Sequence, residues 1–69
     1  MKKHYLVEEI IYLENGIDWC AECTYREEYF ADAEWKYDYL VSELGYEHVK
    51  LYEYMPKTDT YKDITPRLA

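Results

Sequence analysis

Two cysteines three residues apart, in the stretch "DWCAEC" from Asp18 to Cys23, are the pair whose type and spacing best suit chemistry. A Cys-x-x-Cys pair works as a redox dithiol, or as half of a metal clamp, when both thiols reach one point. Two histidines, His4 and His48, could move protons near neutral pH. Adjacent carboxylates occur at Glu8-Glu9 and Glu27-Glu28. A working acid/base pair needs both groups aimed at one substrate.

Whether any of these converge depends on the elements that carry them. His4 to Leu13, "HYLVEEIIYL", is rich in β-branched and aromatic residues and predicts a strand. Asn15-Gly16 then signals a hairpin. From Ile17 the apolar alternation is strict: Ile17, Trp19, Ala21, Cys23 and Tyr25 on one face, Asp18, Cys20, Glu22, Thr24 and Arg26 on the other. A three-residue loop, Glu14 to Gly16, is expected to pair Leu13 with Ile17, Ile11 with Trp19, Val7 with Cys23 and Tyr5 with Tyr25. Residues i and i+3 of a regular strand face opposite ways. Cys23 is therefore expected inward beside Trp19 and Cys20 outward beside Glu22, with no shared metal and no bridge. Trp-Cys-x-x-Cys is similar to the opening of a thioredoxin-type active site, but that site places its first cysteine at a helix N-terminus after a strand of a parallel sheet. Here "TYREEYF" continues the strand pattern.

The remaining candidates fare no better as catalysts. Glu8 and Glu9 point to opposite faces, and Glu27-Glu28 lie solvated at a strand-to-helix transition. His48, beside Glu47, reads as a surface histidine at a strand start. There is no Gly-rich phosphate loop, nucleophile elbow or zinc spacing. The expectation is a protein that is not an enzyme and has no cofactor and no metal.

Asp32 to Leu44, "DAEWKYDYLVSEL", predicts a helix with Asp32 as N-cap. Ala33, Tyr37, Leu40, Val41 and Leu44 form the buried stripe, and Gly45 ends it. Glu34, Trp35, Asp38, Tyr39, Ser42 and Glu43 face outward. His48 to Met55 is a third strand ended by Pro56, "KTDT" is a turn, and the tail over 56–69 reads as an edge strand or a strap. A first strand apolar on both faces belongs in the centre. The expected fold is one α+β domain over residues 1–69, with a three- or four-stranded antiparallel sheet of order 2-1-3 and the helix on one face. The other face would show Leu6, Ile10, Tyr12, Cys20, Tyr52 and Tyr54, which is too apolar to stay wet. It is expected to meet the tail, a second copy or a partner, with Leu6, Ile10, Tyr12, Tyr52 and Tyr54 as a self-association face.

Sixty-nine residues leave room for one modest core, and ten tyrosines exceed what that core holds. Several must lie at the surface, where aromatic residues favour interfaces. The net charge of −7 is concentrated: thirteen of the fifteen acidic residues, but only three of the eight cations, lie between Glu8 and Glu53. Such a chain repels phosphate and anionic membranes, so direct nucleic-acid or membrane binding is not expected, and basic protein surfaces are its natural partners. No signal-peptide pattern or membrane-length apolar run is visible, which points to a cytoplasmic protein with both thiols free.

Small size, acidity, abundant tyrosine and the strand-strand-helix-strand reading together resemble phage and mobile-element proteins, some of them anti-CRISPR or other host-enzyme inhibitors that mimic nucleic acid. No motif carries that resemblance, so no residue roles transfer from it. Three functions stay open. The first is an interaction module that occupies a basic site, such as that of a nucleic-acid-binding enzyme, through Glu34, Trp35, Asp38, Tyr39 and Glu43. The second is a self-associating accessory domain, a homodimer. The third is a cytosolic redox or metal protein built on Cys20/Cys23.

Overall fold

A computed structural model of the chain describes residues 2–66. The elements run β1 (Tyr5–Tyr12), β2 (Trp19–Glu27), α1 (Phe30–Leu44), a 3-10 turn (Tyr46–His48), β3 (Val49–Met55) and β4 (Thr60–Asp63). All strand pairings are antiparallel and the order is β2-β1-β3-β4, the α+β arrangement that the strand patterns predict. The doubly apolar β1 sits inside the sheet, and β4 extends it beyond β3. Residues 67–69 of the expected tail lie outside the described residues.

The core lies between α1 and one sheet face. Val7, Val49 and Leu51 from the sheet meet Ala33, Tyr37 and Leu40 from the helix, ringed by Tyr5, Tyr25, Val41 and Ile64. The helical stripe thus buries as its 3.6-residue period requires, except that Leu44 at its end is 42% exposed. Ile64 is held there because its N–H donates to the Leu51 carbonyl at 2.9 Å, while the Thr65 hydroxyl both accepts from and donates to the Leu51 main chain.

The helix begins two residues earlier than expected, and Asp32 is not its cap. Tyr29 occupies the N-cap position without a side-chain cap, and Asp32 lies in the first turn, where its charge complements the helix dipole. Phe30 accounts for the early start, since it packs edge-on against Tyr5 of β1, centroids 5.5 Å apart. At the other end Gly45 takes φ 93°, a conformation that costs a residue with a Cβ, and its N–H closes on the Val41 carbonyl at 2.9 Å.

The hairpin register departs from expectation twice. The Leu13 N–H donates to the Asp18 carbonyl at 2.8 Å, so the loop spans residues 14–17 rather than three residues. Asn15 explains the longer loop: its Oδ1 accepts from the N–H groups of Ile17 and Asp18, at 2.9 and 3.0 Å. This turn sets Tyr12 opposite Trp19, Ile11 opposite Cys20 and Ile10 opposite Ala21. A bulge then inserts Glu22, and beyond it Glu9 faces Cys23, Val7 faces Tyr25 and Tyr5 faces Glu27. Continued unbroken, the turn's register would have set Val7 against Thr24 and turned Tyr25 out of the core. The extra residue restores the inward direction of Tyr25.

Candidate interaction surface

The bulge also redirects the cysteines. Ile11 and Glu9 are two apart on β1 and share a face, so their partners Cys20 and Cys23 share it too. The expectation of opposed thiols is therefore corrected, as is the placement of Trp19 beside Cys23: Trp19 and Ala21 lie on the far side of the sheet, with Tyr12 and Ile10. Cys20 and Cys23 are both exposed and unbonded, so Cys23 is not the core thiol that the alternation predicts. Among the described residues no group of three or more metal-ligating side chains comes together.

The histidines are structural in their contacts. His4 is 1% exposed, with Nδ1 at 2.9 Å from the Lys2 carbonyl and Nε2 at 2.7 Å from the Tyr61 hydroxyl. A carbonyl only accepts, so Nδ1 carries a proton. His48 places Nδ1 at 3.3 Å from the Ile10 carbonyl, across to β1, rather than serving Glu47. Glu8 and Glu9 go to opposite faces as expected: Glu8 accepts from the Thr24 hydroxyl at 3.0 Å and Glu9 from the Tyr25 hydroxyl at 2.5 Å. Contact with Cys23, then the bond to Glu9, raises the Tyr25 pKa well above the usual tyrosine value. Lys36 lies over that ring, 4.1 Å from its centroid.

The outward helix face is a different kind of surface. Trp35 and Tyr39, four residues apart, lie opposite the buried stripe and are 67% and 47% exposed. Their rings are parallel to within 4°, with centroids 5.6 Å apart. At 100° per residue, Glu34 and Asp38 fall on one flank of the pair, and Asp32 and Glu43 on the other. All four are exposed. The ion pairs among the described residues, Lys3–Glu53 and Lys50–Asp63, involve none of these four carboxylates. Asp32 belongs to this face although its sequence position reads as a cap; its spacing of three and seven residues from Trp35 and Tyr39 is the signal for it. The structure brings Glu34, Trp35, Asp38, Tyr39 and Glu43 onto one accessible surface.

The sheet face away from the helix is less open than its composition suggests. Ile10 and Tyr54 are buried within the chain's own fold, at 2% and 4% exposure. Tyr54 is sandwiched into place by His4, stacked at 4.7 Å, and its hydroxyl donates to Asp59 at 2.6 Å. Leu6 and Tyr52 are half-buried, and Tyr12 is 41% exposed. Lys50 lies 5.3 Å from the centroid of the Trp19 ring on this side.

No helix among the described residues is long and apolar enough to cross a membrane. No family model matches the chain, and no curated protein or solved structure matches it.

Proposed function

We propose that this protein is a small acidic interaction module that occupies a basic site on another protein through the outward face of α1. The reading rests on one observation: a parallel, exposed Trp35–Tyr39 pair, flanked on both sides by carboxylates that take part in no ion pair among the described residues. Exposed aromatic anchors supply contact area at low entropic cost, and surrounding charge speeds encounter and selects the partner. A net charge of −7 directs the module to cationic surfaces, of which the nucleic-acid groove of an enzyme is the natural example. The module would then act as a nucleic-acid mimic, in the manner of phage or mobile-element inhibitors of host enzymes, in the reducing cytoplasm and without catalysis.

The test is capture of basic proteins from a lysate by the tagged chain across a salt series. Trp35→Ala with Tyr39→Ala should abolish capture while leaving the melting temperature nearly unchanged. Undiminished capture by the double variant would defeat the reading.

A further inference from the structure

Resting on that reading, we infer that the Trp35–Tyr39 face selects arginine over lysine in its basic partner. The two parallel rings, centroids 5.6 Å apart, form an offset stack whose more exposed member, Trp35, presents a flat π-surface to solvent. A guanidinium is planar and weakly hydrated, and it stacks on such a surface face to face; an ammonium keeps its water and meets a ring as a point charge. The flanking carboxylates sharpen the difference. A guanidinium stacked on Trp35 keeps its five N–H groups in its own plane, directed sideways toward the carboxylates nearest that ring on the helix, Asp38 on one flank and Asp32 on the other, each three residues away. The three N–H groups of an ammonium diverge from a point and cannot lie flat on the rings while reaching both flanks. The chain's nearest lysine is already engaged, because Lys36 sits 4.1 Å from the Tyr25 centroid and 5.9 Å from that of Tyr39. It leaves Trp35, the more exposed ring, to an incoming group.

The experiment titrates the intact protein with two peptides of equal length and charge, one carrying only arginine as its cation and the other only lysine. The two indole N–H resonances are followed by NMR, with Trp19 as internal reference. Arginine peptide should bind about tenfold more tightly, shifting the Trp35 resonance and leaving that of Trp19 in place. Trp35→Ala with Tyr39→Ala should erase the preference while weak, salt-sensitive binding of both peptides persists. Equal affinity for the two peptides, or a preference that survives in the double variant, overturns arginine selection and leaves the basic-partner reading standing. Absence of binding by either peptide at low salt overturns both.

Discussion

The imidazole of His4 and the hydroxyl of Tyr61 meet at 2.7 Å across fifty-seven residues of chain, joining the entry to β1 with β4. The same imidazole stacks on Tyr54, whose own N–H donates to the His4 carbonyl at 2.9 Å. β4 is only four residues long and exposed throughout, so this contact adds to its pairing with β3. His4→Ala should therefore cost about 3 kcal/mol, combining a cavity with a lost hydrogen bond. Tyr61→Phe should cost about 1 kcal/mol, since it removes only the bond to Nε2. Denaturant unfolding of both variants checks the order; equal losses would mean that His4 does not depend on packing.

A second expectation concerns the bulge. Inserting one alanine between Cys23 and Thr24 should shift the pairing beyond the bulge by one residue, set Thr24 against Val7 and rotate Tyr25 away from Glu9. The expected loss is about 2–4 kcal/mol, from a displaced aromatic side chain and its hydrogen bond. Glu22→Ala keeps the extra residue and changes only an exposed side chain, so it should stay within about 0.5 kcal/mol of the parent. Comparable melting of the two variants would show that the register at Tyr25 carries little of the stability.

That contrast also marks where the chain was legible. Strand and helix existence, sheet order and the outward Trp35–Tyr39 face follow from periodicity, because a 2- or 3.6-residue repeat reports which face is buried. The hairpin register did not, because Asn15 lengthens the loop through side-chain bonds that period-two reasoning does not weigh. A bulge is invisible to the same reasoning: it adds one residue, and the alternation from Trp19 to Tyr25 reads as continuous although the face changes within it. The error carried into the site, since opposed cysteines followed from an unbroken strand. Asp32 was lost for another reason: the packing of Phe30 against Tyr5 starts the helix before a residue that is otherwise a good cap.

The thiols allow a direct check of their exposure. Cys20 and Cys23 are both exposed. Both should alkylate with iodoacetamide in native buffer at rates within a few-fold of a model thiol, as followed by mass spectrometry. Protection of Cys23 until denaturant is added would contradict the exposure of that thiol.

Alkaline pH should weaken the fold. Four tyrosines have raised pKa values: Tyr25 through Cys23 and Glu9, Tyr37 and Tyr52 mainly through burial, and Tyr54 through its bond to Asp59. A raised value means that the folded state prefers the protonated phenol. The stability this confers is fully present below the unfolded tyrosine value of about 10 and is lost as pH climbs through the raised values. The melting temperature should fall above about pH 10, with phenolate absorbance rising alongside the loss of structure. Tyr54→Phe should blunt the fall. A melting temperature indifferent to pH through about 11.5 would contradict the assignment.

The acidic helix face should lower stability in the isolated protein. Glu34 and Asp38 are like charges four apart, and Glu43 sits in the last turn, near the negative end of the helix dipole, where no basic residue compensates. Each arrangement is unfavourable by a few tenths of a kcal/mol at low ionic strength. Replacing Glu34, Asp38 and Glu43 by Gln should therefore raise the melting temperature by a few degrees at low salt, and the gain should shrink as salt screens the parent's repulsion. The same variant should bind the arginine peptide more weakly, with a flatter salt dependence. Stability and capture moving in opposite directions is what a surface kept for a partner produces, because residues retained for binding are free to be poor choices for the fold. Carboxylates that only solvate the helix would change stability and leave capture where it was. A variant that melts higher and still binds as tightly at low salt would remove electrostatics from the recognition.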